Sequence, residues 1–128
     1  MPETGVSPAR ALAALMPEAL AAGPGGELVP GFRMVSICHA RMGEPAFGIC
    51  PGEGELWLTL RTLEDSDMAA LRDEVTGLAQ RLAEAQGLSV EFSQHDRFAA
   101  CVNHPDATAA IIRAAESLGI EPQEEGLP

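Results

Sequence analysis

The chain has 128 residues and a mass of 13.4 kDa, which is enough for one domain with a modest core and leaves no room for a second full domain. Its hydrophobic fraction of 46% and charged fraction of 21% are typical of a soluble globular protein, and no apolar run approaches the roughly 18 residues of a membrane span. Eight basic against 19 acidic residues give a net charge of −11, which disfavours nucleic acid and anionic membrane surfaces as partners.

The first element in chain order is a helix. Ser7 followed by Pro8 is a typical helix start, and apolar residues then recur at helical spacing. Pro17 lies inside this run and is expected to kink the helix or end it early. Residues 22 to 31 (AGPGGELVPG) are rich in Gly and Pro and predict a connecting loop.

Strand patterns follow this loop. Residues 32 to 41 favour a strand with Val35 and Ile37 on one face, and residues 46 to 50 allow a short strand that Pro51 would confine to an edge. Residues 55 to 62 give the clearest strand, because Leu56, Leu58 and Leu60 alternate with polar or aromatic residues.

A long amphipathic helix comes next. It is expected to be capped at Asp65 or Ser66 and to stop at Gly87. Residues 88 to 93 alternate again and predict another strand, and Pro105 and Asp106 open a last helix that Gly119 closes. Residues 121 to 128 carry no pattern and are expected to fray.

This order predicts an α+β fold, a two-layer sandwich in which helices cover one face of an antiparallel sheet. The polar start, MPETGVSPAR, contains no apolar segment of a secretory signal, so we expect a cytoplasmic protein. Three cysteines, an odd number, favour reduced thiols over a disulfide framework.

Two kinds of chemical site can be considered from the residues alone. Zinc ligands are present in sufficient number but without the Cys-x-x-Cys or His-x-x-x-His spacing that structural zinc sites use; they are Cys38, His39, Cys50, His95, Cys101 and His104. The alternative is that Cys38 and Cys101 are small buried residues. A Cys-His hydrolase is disfavoured because the adjacent Cys38 and His39 should point to opposite faces of a strand.

A phosphate-binding loop is not supported, since no Gly-rich phosphate motif occurs and the chain has no lysine. The carboxylates are scattered over predicted helix surfaces, where solvation is their expected role. The residues alone therefore indicate an α+β module without a complete catalytic set.

Two long segments carry a family resemblance: GEPAFGICPGEGELWLTLRTLEDSDMAALRDEVTGLAQ and, after it, EFSQHDRFAACVNHPDATAAIIRAAESLGI. Their motifs, in order, are Gly43, Pro51, Arg61-Thr62 and Val102-Asn103. In this order and spacing the chain, from about residue 2 to residue 120, resembles the lid or dimerisation domain of the zinc amidohydrolases and metallopeptidases, of the aminoacylase, succinyl-diaminopimelate desuccinylase and glutamate carboxypeptidase type.

The resemblance implies a βαββαβ ferredoxin-like lid over residues 1–102, with residues 103–128 forming a helix and tail that lead back to a catalytic domain. It implies a homodimer formed through the lid, and a parent enzyme that uses zinc or a similar divalent metal to hydrolyse N-acyl amino acids or small peptides. Arg61 would bind the substrate carboxylate. The catalytic and metal-binding residues would lie outside residues 1–128, so the chain alone is expected to be inactive.

The chain also departs from the family pattern. The family motif Asn-x-x-Pro reads Gly48-Ile49-Cys50-Pro51, so the amide that contacts substrate is missing at Gly48. The first strand of the lid is absent as well, and it would lie in the middle of the sheet. An isolated chain could therefore be marginally stable or borrow a strand from a neighbour.

Two alternatives remain open at this point. Arg61 could pair with Glu64 or Asp65 and only order the turn into the following helix. The whole chain could instead be an independent α+β module that binds a free amino acid or another small molecule, or that has a regulatory role.

Overall fold

The computed structural model describes residues 5–123, which contain three helices and two strands. In chain order they are α1 (Ala9–Ala22), β1 (Arg33–Met42), β2 (Gly54–Thr62), α2 (Asp65–Glu84) and α3 (Pro105–Ser117). The chain divides into two compact units, Met1–Phe98 and Ala99–Pro128. The α+β class is confirmed. Residues 2–4 of the family resemblance and residues 124–128 of the tail that we expected to fray lie outside the described residues.

The sheet of the first unit is an antiparallel hairpin of β1 and β2. Arg33 lies opposite Thr62 and Val35 opposite Leu60, and the register shifts by one residue between Ile37 and His39. The predicted alternation in β2 is confirmed, because its three leucines pack against the core while Trp57 and Arg61 are exposed.

The core lies between one face of this hairpin and the two helices α1 and α2. Its buried residues come from three elements and are Leu15, Ala19, Val35, Leu71, Val75, Leu78 and Ala79. The periodic apolar positions of α2 fall on its buried side, as amphipathic spacing predicts. We call this side of the hairpin the inner face and the opposite side the outer face.

The helix ends mostly agree with the local signals. The α1 helix starts one residue later than predicted, and the Ala9 amide donates to Ser7 Oγ at 3.3 Å. Glu64 precedes α2 in an extended conformation, whereas Asp65 or Ser66 was predicted as the cap. Gly87 and Gly119 adopt positive φ angles of 68° and 73° just beyond α2 and α3, which confirms both predicted stops.

Pro17 does not end α1 early, because the helix continues to Ala22. A proline removes one backbone hydrogen bond, which the rest of the helix can outweigh when its apolar side is packed. Here Leu15 and Ala19, on either side of Pro17, are both buried in the core.

Two predicted strands are wrong. Residues 46 to 50 form a turn and irregular structure, since Pro45 and Pro51 have no amide to donate and Gly48 has a φ of 76°. Residues 88–104 form neither helix nor strand. The alternation of residues 88 to 93 does not produce a strand because no described segment pairs with them.

The second unit contains α3. His104 precedes the helix and its Nδ1 accepts a hydrogen bond from the Asp106 amide at 3.3 Å, while Pro105 occupies the first turn. None of the residues of α3 is buried, and Ile111 and Leu118 are 70% and 76% exposed.

Candidate functional site

The outer face of the hairpin is the surface on which β2 displays Arg61. Cross-strand neighbours share a face in an antiparallel pair, so the register defines the members of this surface. They are the pairs Met34 with Arg61, Ser36 with Thr59, His39 with Trp57, and Arg41 with Glu55.

Arg61 is exposed and stands near the end of β2. The sheet carries two other arginines, and both form ion pairs: Arg33 with Asp67 and Glu74, and Arg41 with three glutamates. No ion pair or side-chain hydrogen bond of Arg61 is found within residues 5–123. Its guanidinium is thus a cation that the fold presents to solvent without a carboxylate partner among those residues.

The turn that follows Arg61 is ordered by a different side chain. Thr62 Oγ1 donates a hydrogen bond of 2.9 Å to the Glu64 carbonyl oxygen, immediately before α2. Thr62 therefore orders the turn into α2, which is the role that we considered as an alternative for Arg61. It leaves the guanidinium available for an anion.

The register shift in β1 brings Cys38 and His39 to the same face. Cys38 Sγ lies 3.0 Å from Thr59 Oγ1, and the His39 ring lies 5.0 Å from the Trp57 ring, while Thr59 and Trp57 share the outer face of β2. The prediction that Cys38 and His39 point to opposite faces is therefore wrong. The physical reason is the β-bulge, which inserts one residue and breaks the alternation.

A polar network surrounds the far end of the outer face. Glu55 Oε1 accepts a hydrogen bond from Trp57 Nε1 at 2.7 Å, and Glu55 Oε2 lies 3.7 Å from Arg41 Nε. Arg41 also contacts Glu44 and Glu53 at 3.8 and 3.5 Å. These exposed pairs orient side chains more than they stabilise the fold.

Two motif residues of the family resemblance, Gly43 and Pro51, lie in the hairpin loop. The Gly43 amide donates to the Glu53 carbonyl at 3.1 Å, and Gly43 has a φ of 50°. A Cβ at Gly43 would lie 2.9 Å from Pro51 Cβ, so these two residues pack tightly at the base of the loop. Val102 and Asn103 belong to the second unit and are exposed.

The candidate zinc ligands are distributed over both units. Cys38, His39, Cys50 and His95 belong to the first unit and Cys101 and His104 to the second. Across residues 5–123, no group of three or more His, Cys, Asp or Glu side chains is placed to hold a metal ion. Cys38 and Cys101 are exposed, so the interpretation of both as small buried residues is wrong.

A shallow surface pocket of about 440 Å³ lies beside α2, where Phe92 and Gln94 face Arg72, Thr76 and Gln80. Its arginine is already paired, because Arg72 donates to Asp73 Oδ1 at 2.7 and 2.9 Å. Arg61 is therefore the better placed of these two cations for binding an anion.

The chain matches no protein-family model, no curated protein and no solved structure. Within the described part of the chain, no helix is both long and apolar enough to cross a membrane.

Proposed function

We propose that this chain is the lid and dimerisation portion of a zinc-dependent amidohydrolase or metallopeptidase that hydrolyses the amide bond of N-acyl amino acids or small peptides in the cytoplasm. The observation that carries the proposal is the position of Arg61, exposed and unpaired within residues 5–123, at the end of a hairpin that two helices cover on its other face.

The order of elements supports a βαββαβ lid of which two strands, the first and the last, are not formed within residues 5–123. The helix, hairpin and helix of the first unit correspond to the middle four elements of that fold, and both helices pack on one face. The missing first strand would lie between the hairpin and the last strand. Its absence accounts for two features together: β2 has a free edge, and residues 88 to 93 have no partner among the described residues.

The chemistry of Arg61 fits a carboxylate ligand. A guanidinium is planar and always charged, and it can donate two parallel hydrogen bonds to one carboxylate. The fold presents this group on the surface of a chain whose net charge is −11. Arg61 would hold the amino-acid carboxylate of the substrate while the lid closes over it.

As the family resemblance implies, the metal of the parent enzyme would be held by residues of a catalytic domain outside residues 1–128. No step of the hydrolysis is assigned to this chain. Its role would be to position substrate and to assemble a homodimer, and alone it would be inactive.

Arg61→Lys in the enzyme that contains this lid is expected to raise the KM for N-acyl amino acids about tenfold with little change in kcat. A lysine keeps the charge but loses the two-point hydrogen bonding. Because this contact is equally strong in the bound substrate and in the transition state, its loss raises KM and leaves kcat unchanged. Steady-state kinetics measures both constants. Arg10→Lys, at an exposed position on α1, is the matched control, and an unchanged KM in Arg61→Lys would remove the carboxylate role.

An independent amino-acid binding module is the competing function, and it is favoured by the accessibility of Arg61 in the chain as it stands. Isothermal titration calorimetry of the chain with free and N-acetylated amino acids separates the two functions. A module binds by itself with one site, and Arg61→Lys weakens that binding. A lid contributes only part of a site, so the lid proposal expects no measurable heat of binding from the chain alone.

A further inference from the structure

The outer face of the hairpin carries three different chemical groups in a row along β2. Arg61 is a cation at one end, Thr59 is a hydroxyl in the middle, and Trp57 is an aromatic ring at the other end, because residues two apart share a face of a strand. The backbone positions of Arg61 and Trp57 lie about 13 Å apart, at roughly 3.3 Å per residue. A strand added at the edge of β2 would leave these side chains on the same face, so the row is a property of the hairpin itself.

Trp57 is held in place although it is 57% exposed. Its Nε1 donates a hydrogen bond of 2.7 Å to Glu55 Oε1, and its ring lies 5.0 Å from the His39 ring at an interplanar angle of 56°. The bulge in β1 brings His39 to this face. An indole that two contacts already fix loses little rotamer freedom when a ligand lies on it, so Trp57 is a preorganised surface for an aromatic group.

Thr59 supplies hydrogen-bonding groups between the two ends of the row. Its Oγ1 lies 3.0 Å from Cys38 Sγ, and either atom can be the donor of that contact. A hydroxyl has one donor and two acceptor lone pairs, so Thr59 keeps the capacity for a second partner. Ser36 lies directly opposite Thr59 on β1 and adds another hydroxyl to this part of the face. The middle of the row is therefore suited to an amide group.

We propose that this row binds an amino acid whose nitrogen carries an aromatic acyl group. The carboxylate of the ligand binds Arg61, its amide lies over Thr59, and its aromatic ring packs on Trp57. The order of carboxylate, amide and ring in such a ligand matches the order of cation, hydroxyl and ring along β2. The Arg61 side chain is long and exposed, so it can turn along the strand towards a ligand that is shorter than the row.

A cationic ligand fits this face less well. Glu55 is the carboxylate that contacts Trp57, and Arg41 Nε already lies 3.7 Å from its Oε2. The charge of Glu55 is thus balanced within the chain, whereas that of Arg61 is not balanced by any described residue.

This inference deepens the proposed function, because it names the acyl group of the substrate. It rests on the proposed function only for the assignment of Arg61 to a carboxylate. The aromatic contact with Trp57 is argued from the hairpin alone and does not require hydrolysis.

NMR spectroscopy of the full isotope-labelled chain tests the site. Trp57 is the only tryptophan of the chain, so the indole N–H signal reports on this ring alone. With N-benzoylglycine we expect saturable shifts of the indole signal and of the Thr59 and Arg61 amides, with a dissociation constant of roughly 1 to 10 mM. Binding this weak gives no heat that calorimetry would measure, in agreement with the expectation for a lid.

Two matched ligands test the two ends of the row. N-acetylglycine has the carboxylate but no ring, and N-benzoylglycinamide has the ring but no carboxylate. Each is expected to bind about fivefold or more weakly than N-benzoylglycine, because each loses one of the two contacts.

Two variants, followed by the Thr59 amide signal, assign the contacts to residues. Trp57→Leu keeps an apolar side chain without the ring, so N-benzoylglycine should bind about fivefold more weakly while N-acetylglycine is unaffected. Arg61→Gln should weaken the binding of both ligands. Arg10→Gln, at an exposed position on α1, is the control and should change neither. The same spectra show whether each variant is folded.

Three results would each overturn the inference: no saturable shift of the row with N-benzoylglycine, equal affinities for N-benzoylglycine and N-acetylglycine, or an unchanged affinity for N-benzoylglycine in Trp57→Leu. These results are independent of any hydrolysis. If the enzyme that contains this lid proves not to exist, the proposed function fails while the measured contacts stand. If that enzyme is active but the chain shows none of the expected shifts, the inference fails and the proposed function stands.

Discussion

Leu71→Ala is expected to lower the free energy of unfolding of this chain by about 2 to 5 kcal/mol, the largest effect of any substitution considered. Leu71 is fully buried, with 0% relative exposure, and it lies in the core with Leu15, Val35 and Val75. The substitution removes apolar contacts and leaves a cavity between the hairpin and the helices. Domains of this size have only about 5 to 15 kcal/mol of stability in total.

Urea denaturation followed by circular dichroism measures this change. Leu20→Ala is the matched control, because Leu20 is on α1 at 42% exposure and should cost less than about 1 kcal/mol. If both variants unfold at the same urea concentration, the core is not where the structure places it.

Gly23→Ala is expected to destabilise the fold by about 1 to 3 kcal/mol. Gly23 follows α1 and touches β1 so closely that a Cβ would lie 2.8 Å from both Val35 N and Val35 Cγ2, and 2.9 Å from the Met34 carbonyl carbon. Two of these atoms are backbone and cannot move aside like the end of a flexible side chain. The added methyl would therefore push the end of α1 away from the strand, and the 2.8 Å hydrogen bond from Val35 N to Gly23 O would lengthen.

Gly52→Ala provides the control for this comparison. A Cβ at Gly52 would meet no atom within 4 Å, so this variant should melt at the wild-type temperature. Thermal unfolding of the two variants is the measurement. Equal melting temperatures would show that α1 and β1 do not approach as described.

The elements predicted well are those whose signals are local. The stop of α2 at Gly87 and the start of α3 at Pro105 depend on a few neighbouring residues and need no knowledge of the rest of the chain. The alternation of leucines in β2 likewise predicts which face of the strand is buried.

The elements predicted wrongly depend on partners distant in sequence. Residues 88 to 93 alternate as clearly as β2 does, but a strand exists only when a neighbour pairs with it, and composition does not reveal that neighbour. The bulge that puts Cys38 and His39 on one face has the same cause, because a one-residue insertion shows only against the opposite strand.

The candidate site was predictable in part. The alternation of β2 places Arg61 on the face opposite the leucines, and the structure has it there, exposed. The contact of His39 with Trp57 was not predicted, since it depends on the register shift. The sequence also could not show that Arg61 forms no ion pair among the described residues. Glu64 and Asp65 are close to it in the chain, so only the coordinates can show whether it pairs with them.

Zinc-dependent hydrolysis of N-acyl amino acids is the most direct test of the proposal that this chain is a lid. The chain would be expressed alone and together with the coding sequence that adjoins it in its source genome, and both products would be assayed with and without a chelator. The proposal predicts an in-frame metal-binding His-x-Asp region in the adjoining sequence, activity only in the longer product, and loss of that activity with the chelator. Adjoining sequence without such a region, together with no hydrolysis by either product and binding of a free amino acid by the chain alone, would contradict it and favour the binding module.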